Sequence, residues 1–153
     1  MINQELLAKF DMINGLIPIP HIIVGGQPSL SDLKMLAQAG VTNVVNLRPL
    51  NETIAYDEAS EVARLGMKYH LIPVSEIESF TRESALALQR ILALRQPCLV
   101  HCASGNRVGA LIALAAYWLE GLSAEEAMEL GLQAGLTKLQ PQIADLLALE
   151  VER

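Results

Sequence analysis

The 153 residues of this chain suit one domain with one hydrophobic core, which at this size needs no disulfide or metal to stabilise it. Hydrophobic residues make up 52% of the chain, which argues against disorder and favours a buried sheet covered by helices. The net charge of −6, without a basic stripe, argues against nucleic acid as a general partner. No apolar run reaches the length of a membrane span and no signal peptide is visible, so we expect a cytoplasmic protein.

Strand-like and helical segments alternate along the chain, as is typical of a mostly parallel sheet flanked by helices. The predicted strands are residues 21–24, 44–47, 68–74 and 98–101, with prolines 18 and 20 breaking the chain before the first. The predicted helices are residues 3–13, 29–39, 53–65, 81–95 and 107–120, with two more that begin near 123 and 141. We therefore expect a three-layer α/β fold with a four- to five-stranded sheet. Residues 1–153 are predicted to form a single domain that includes the C-terminal helices 123–150.

The two cysteines, Cys98 and Cys102, are predicted to be free thiols. Four residues of extended strand at ~3.3 Å each separate them, whereas a disulfide needs Cα atoms within ~7 Å. Free thiols fit a reducing compartment. Cys98 lies inside a predicted strand and should pack in the core, while Cys102 lies just after that strand.

The segment Cys102-Ala103-Ser104-Gly105-Asn106-Arg107 connects a predicted buried strand directly to a helix. The amides from Ala103 to Val108 and the positive end of the helix dipole should then surround one point and stabilise an anion or a thiolate. Gly105 permits the positive φ that a tight ring of amides requires, and Arg107 can bind two oxygens of a phosphate-like group. We therefore predict that Cys102 is a nucleophile inside an anion-binding loop.

The residues from His101 to Gly109 resemble the loop of the cysteine-dependent tyrosine and dual-specificity phosphatases. Three upstream segments resemble a bacterial branch, the phosphatase-like domain found beside beta-lactamase-like hydrolases: Gly26–Ser29, Ala39–Pro49 and Tyr69–Val74. The resemblance covers about residues 20–120 and implies the tyrosine/dual-specificity phosphatase-like fold, a phosphorylated protein or small molecule as substrate, and no cofactor. It also implies a mechanism in which the cysteine forms a cysteinyl-phosphate that water hydrolyses. In that mechanism the arginine binds the phosphoryl oxygens and an aspartic acid protonates the leaving group.

Three features depart from the common pattern of that family. Four residues separate Cys102 from Arg107, where five are usual, and Val108 stands where a serine or threonine usually follows the arginine. The usual aspartate is not evident after the third predicted strand, and the nearest acids there are Glu76 and Glu78. General acid catalysis contributes ~10²–10⁴-fold, so we expect a slow phosphatase or a preference for good leaving groups. Glu76 is the predicted acid, with Glu78 as its alternative.

Two other functions remain open from the sequence. The four-residue spacing also resembles the rhodanese sulfurtransferases, in which the thiolate carries a persulfide sulfur. The loop could also serve a module that binds phosphate without turnover. The upstream segments favour the phosphatase, because they extend the resemblance over more of the chain.

Two residues near the loop are predicted to assist it. Arg48 follows the second predicted strand, at the sheet edge where open α/β sheets bind ligands, so it could contact the substrate. A local ion pair of Arg48 with Glu52 or Asp57 is an equal alternative. His101 should point away from Cys102 and orient the loop by hydrogen bonding. No spaced set of histidine, cysteine and carboxylate residues predicts a metal site.

Overall fold

The computed structural model describes residues 2–152, in which a five-stranded sheet lies between two layers of helices. The strands are β1 (Leu16–Ile19), β2 (Ile22–Gly25), β3 (Asn43–Asn46), β4 (Lys68–Leu71) and β5 (Cys98–His101), in the spatial order β1-β2-β5-β3-β4. The edge strand β1 runs antiparallel to β2, and the other neighbouring pairs are parallel. The predicted α/β fold with a mostly parallel sheet is therefore confirmed.

The helices divide between the two faces of the sheet. They are α1 (Gln4–Leu7), α2 (Leu30–Gln38), α3 (Glu58–Arg64), α4 (Arg82–Leu92), α5 (Asn106–Leu119), α6 (Ala124–Gln133) and α7 (Gln140–Glu152). The larger apolar cluster joins one face of the sheet to helices α4 to α7, and the smaller cluster joins the other face to the N-terminal segment, α2 and α3. No helix among the described residues is both long and apolar enough to cross a membrane.

Helix α5 forms the centre of the larger cluster, as its uniformly apolar sequence predicts. Its residues from Val108 to Ala116 are all buried. Gly109 lets α5 approach α6 and the chain after it, since a Cβ on Gly109 would lie 2.2 Å from the amide nitrogen of Leu136 and 2.6 Å from the carbonyl oxygen of Gly131. The position of α5, and with it the loop that precedes it, is therefore fixed by close backbone packing.

The N-terminal part of the chain differs from the prediction. Residues 16–19 form β1, although Pro18 was predicted to break the chain, because an edge strand tolerates a residue that cannot donate a hydrogen bond. The helix predicted at 3–13 ends at Leu7. The amides of Asp11 and Met12 instead donate to the buried carboxylate of Asp32, at 2.8 and 2.9 Å, which holds this segment against α2.

The helix predicted at 53–65 also begins later, at Glu58. Asp57 caps it, and its side chain accepts a hydrogen bond from the Ser60 amide at 3.2 Å. Residues 53–57 are consequently free of helical structure. Strand β4 and helix α4 end earlier than predicted, at Leu71 and Leu92.

Candidate functional site

Cys102 follows β5, the central strand of the sheet, and lies where the carboxyl ends of the parallel strands meet. Strands β2 and β3 flank β5, so the chain segments after Gly25 and after Asn46 border the loop on its two sides. This edge of an open α/β sheet is where ligands bind. Both cysteines are free, as predicted, and Cys98 is buried within the strand.

The loop folds around the sulfur of Cys102. Gly105 has φ 96°, the left-handed conformation that its sequence position predicted, and it precedes the first residue of α5. Its amide donates a hydrogen bond to Cys102 Sγ at 3.0 Å. Cys102 is 0% exposed, so a substrate reaches the sulfur only if neighbouring groups move.

Carbonyl groups of the loop are bound by neighbouring segments of the chain. The Gln27 amide donates to the Ala103 carbonyl oxygen at 3.1 Å, and Asn14 Nδ2 donates to the Ser104 carbonyl oxygen at 2.7 Å. Gly26 is needed for this contact, since a Cβ there would lie 2.7 Å from the Ala103 carbonyl oxygen. Hydrogen bonds from Gln27 and Asn14 to its carbonyl oxygens thus fix the position of the loop.

The start of α5 leaves amides available for an anion. The first backbone hydrogen bond of this helix joins the Gly109 amide to the Gly105 carbonyl oxygen, at 3.4 Å. The amides of Asn106, Arg107 and Val108 precede that bond and have no acceptor within residues 2–152. The Asn106 side chain faces outward, because its Oδ1 accepts from the amides after α6, the nearer at 2.9 Å.

Arg107 is held by Glu52, a residue predicted from the sequence only as a partner of Arg48. Arg107 Nη1 donates to Glu52 Oε2 at 2.7 Å, and Nη2 donates to Oε1 at 2.8 Å. Nη1 also donates to the Val74 carbonyl oxygen at 2.9 Å. The hydrogen bond from Arg107 lowers the pKa of Glu52, so this carboxylate is ionised at neutral pH.

The guanidinium of Arg107 also interacts with Cys102. Burial by itself would lower the pKa of Arg107, but the hydrogen bond with Glu52 and the charge and hydrogen bond of Cys102 raise it. Both terminal nitrogens of Arg107 are therefore bound to Glu52. Cys102 and Arg107 lie at the two ends of the loop, and their joint action remains a prediction.

Arg48 is buried, with its side chain 7% exposed, and its carboxylate partner is Glu58 instead of the predicted Glu52 or Asp57. Arg48 Nη2 lies 3.4 Å from Glu58 Oε1, and Nη1 donates to the backbone carbonyl oxygen of Glu52. Arg48 Nε has no acceptor among the described residues. A contact between Arg48 and the substrate remains a prediction.

His101 lies on the far side of the strand from the loop interior, as predicted, and it is fully buried. Its Nδ1 is 3.2 Å from the Cys102 carbonyl oxygen, which confirms the predicted hydrogen bond to the loop. Its Nε2 is 2.5 Å from Glu58 Oε2. Burial would raise the pKa of Glu58, but hydrogen bonds from His101 and Gln27 and the charge of Arg48 lower it. Glu58 lies 43 residues before His101, and no local pattern of the sequence indicates this contact.

The predicted acids Glu76 and Glu78 are exposed beside a short 3-10 turn, Ile77–Ser79. The bond between Arg107 and the Val74 carbonyl brings this segment near the loop. Neither carboxylate contacts Cys102 or Arg107 within the described part of the chain, and the acid role remains a prediction. Residues 2–152 contain no group of three or more histidine, cysteine or acidic residues arranged to hold a metal ion.

Comparisons with known proteins agree with this geometry. The chain is 33% identical over 99 residues to the beta-lactamase hydrolase-like proteins of Xylella fastidiosa strains Temecula1 and 9a5c. The match covers 61% of this chain but 23% of the relatives, so the chain spans about a quarter of their length. No family model matches the chain.

Solved structures with the same fold include phosphatases and candidate phosphatases. A DUF442 candidate phosphatase from Shewanella putrefaciens CN-32 superposes with a TM-score of 0.70 at 22% identity, covering 97% of this chain and 98% of its own. Tk-PTP has a TM-score of 0.68 at 18% identity, with 90% and 96% covered. A kinase-associated phosphatase whose catalytic-site cysteine is replaced by serine has a TM-score of 0.63 at 18% identity, with 83% and 87% covered. The resemblance to the cysteine-dependent tyrosine and dual-specificity phosphatases, and the shared fold, are thus confirmed.

Proposed function

We propose that this protein is a phosphatase-like hydrolase of phosphomonoesters, including phosphotyrosyl proteins, with Cys102 as its nucleophile. One observation carries the proposal: the sulfur of Cys102 accepts a hydrogen bond from the Gly105 amide, in the loop that leads into Arg107 at the start of α5. An amide at the start of a helix and a guanidinium are both donors for an anion. The same two donors can then bind a phosphoryl group during attack.

In this mechanism the thiolate attacks phosphorus, and the bond from phosphorus to the leaving oxygen breaks as the cysteinyl-phosphate forms. Water then hydrolyses this intermediate and releases inorganic phosphate. The amides from Ala103 to Val108 and the guanidinium of Arg107 bind the phosphoryl oxygens, and no cofactor takes part. Arg48 follows β3 at the same edge of the sheet, and it is proposed to offer the substrate a second positive charge.

The leaving group needs a proton, and two nearby carboxylates differ in their ability to supply it. Glu52 is a poor donor because its bond to Arg107 keeps it ionised. Glu76 is exposed on the segment that follows Val74, so it is the proposed acid. A solvated glutamate is a weak acid catalyst, so Glu76→Gln should slow phosphate release by less than about 10²-fold, the lower end of general acid effects.

The test compares three activities of the purified chain. We expect phosphate release from an aryl phosphate, its loss in Cys102→Ser, and its retention in Cys98→Ser, the matched variant of a buried cysteine outside the loop. Thiocyanate formation from thiosulfate and cyanide, with one sulfur added to Cys102, would instead identify a sulfurtransferase. Phosphate binding without either turnover would identify a binding module, and both results contradict the proposal.

A further inference from the structure

A cavity of about 300 Å³ lies next to the loop, at the carboxyl edge of the sheet. The segment that joins β3 to α3 forms most of its wall, together with the ends of β3 and β4. The lining residues include Arg48, Leu50, Glu52, Tyr56, Asp57 and Tyr69. The carboxylate of Glu52 also binds both terminal nitrogens of Arg107. The Glu52 side chain therefore connects this cavity with the guanidinium that is proposed to bind the phosphoryl group.

Arg48 gives the cavity a hydrogen-bond donor that the described chain leaves unused. Its side chain is 7% exposed, Nη2 lies 3.4 Å from Glu58 Oε1, and Nη1 donates to the backbone carbonyl oxygen of Glu52. Nε is buried and has no acceptor within residues 2–152. A buried donor without a partner is destabilising, so an oxygen acceptor such as a peptide carbonyl would be bound favourably here.

The charges around the cavity leave one carboxylate without a cation. Glu52 is paired with Arg107, and Glu58 is paired with Arg48. Asp57 is exposed at the start of α3, which it caps, and it forms no ion pair with any cation in the described part of the chain. The cavity therefore carries a surplus negative charge on the side of Asp57.

The remaining walls suit a cation on a long aliphatic stem. Burial raises the pKa of the Tyr69 phenol and that of the Tyr56 phenol to about 12, so both rings are neutral at neutral pH. Aromatic rings attract an ammonium or guanidinium group that lies over their faces. Leu50 is 83% exposed and offers an apolar surface to the stem of such a side chain. Lysine and arginine combine this stem with the positive charge that Asp57 lacks.

We propose that this cavity binds a lysine or arginine side chain near the phosphorylated residue of a protein substrate, and that Asp57 determines this specificity. The phosphoryl group binds the loop, a main-chain carbonyl of the substrate accepts from Arg48 Nε, and the basic side chain places its charge at Asp57. A small phosphorylated metabolite supplies no such second residue. This inference deepens the proposed function and rests on it for the phosphoryl group at the loop.

Binding of phosphotyrosyl peptides to Cys102→Ser, measured by fluorescence anisotropy, tests the cavity without turnover. Each peptide carries one lysine, placed from three residues before the phosphotyrosine to three after it, because three extended residues span about 10 Å. The reference peptide carries alanine at all these positions. We expect lysine at one or more positions to lower Kd about fivefold to tenfold, through an exposed ion pair and a cation–π contact. Equal Kd values for all peptides, or no binding of any, overturn the proposal.

Asp57→Asn tests the assigned carboxylate and keeps the cap of α3, since asparagine and aspartate cap helices about equally well. We expect the preference for lysine to fall about threefold in this variant. Glu61→Gln should keep the full preference, because it removes the same charge from the surface of the same helix. This control separates the cavity from a general attraction of basic peptides to an acidic chain. An equal fall in both variants, or no fall in Asp57→Asn, contradicts the role of Asp57.

Failure of this inference is distinguishable from failure of the proposed function. A preference for lysine in Cys102→Ser, with no phosphate release by the wild-type chain, contradicts the proposed function and leaves the cavity as a binding site for basic side chains. Phosphate release from an aryl phosphate, with equal binding of all peptides, contradicts the cavity's role and leaves the proposed function standing.

Discussion

Replacing Glu52 by glutamine tests whether this carboxylate positions Arg107 or blocks it. The substitution keeps the size of the side chain but removes the charge and one of the two acceptors that bind Nη1 and Nη2 of Arg107. The Val74 carbonyl, which also accepts from Nη1, remains. Because Glu52 binds both terminal nitrogens of Arg107, we expect this carboxylate to fix the orientation of the guanidinium.

The burial of the two side chains sets the size of the effect. The Arg107 side chain is 13% exposed and that of Glu52 is 36% exposed, so solvent screens the pair on one side. Exposed pairs contribute about 0.2–1 kcal/mol, whereas removing one partner of a buried pair costs about 3–5 kcal/mol. We expect a loss near the upper end of the exposed range, about 1 kcal/mol, which corresponds to roughly a fivefold fall in kcat/KM.

The assay is steady-state hydrolysis of an aryl phosphate by Glu52→Gln and by Glu61→Gln. Glu61 is a matched control because it binds two nitrogens of Arg64 at the surface, at 2.9 and 3.3 Å. We expect the control to keep the wild-type kcat/KM. A rise in kcat/KM for Glu52→Gln would refute the reasoning, since it would mean that the carboxylate competes with phosphate for Arg107.

Three further predictions concern the stability and reactivity of the fold. Gly109→Ala should lower the free energy of unfolding by about 1–3 kcal/mol or more in urea titrations, because the new methyl group meets the backbone of Leu136; unchanged stability would contradict the close packing of α5. Burial raises the pKa of Cys98 to about 12, so Cys98 should not react with iodoacetamide in the native chain at neutral pH. Mass spectrometry checks this, and rapid alkylation of Cys98 would contradict its burial in β5. Glu58→Gln should lower the free energy of unfolding by up to about 3–5 kcal/mol at neutral pH. Because the pKa of Glu58 is lowered on folding from 4.5, the wild-type advantage is present above that pH and should vanish as the pH falls through the folded value; an advantage that persists in strong acid contradicts the assigned charge.

The amino-acid sequence determined the features that depend on neighbouring residues. Helix α2 begins where Ser29 and Asp32 form a capping box, and α6 begins where Ser123 and Glu126 form another. The strand, loop and helix around Cys102 were predictable for the same reason, since the alternation of apolar strand, glycine and apolar helix lies within about twenty residues. Each capping box satisfies backbone amides of its own helix, so it needs no information from the rest of the chain.

The tertiary structure decided which charged groups meet. Arg107 and Glu52 are 55 residues apart, and His101 and Glu58 are 43 residues apart. Their contacts exist because β5 lies between β2 and β3, which brings the end of β3 and the start of α3 beside the loop. The spatial order of the strands decides which long charged side chains pair. A buried charge without a partner is destabilising, so each of these groups pairs with an opposite charge that the fold brings near it. Strand β1 could not be predicted from the sequence either. It contains a proline, which a sheet tolerates only in an edge strand, and only the tertiary structure shows that β1 lies at the edge.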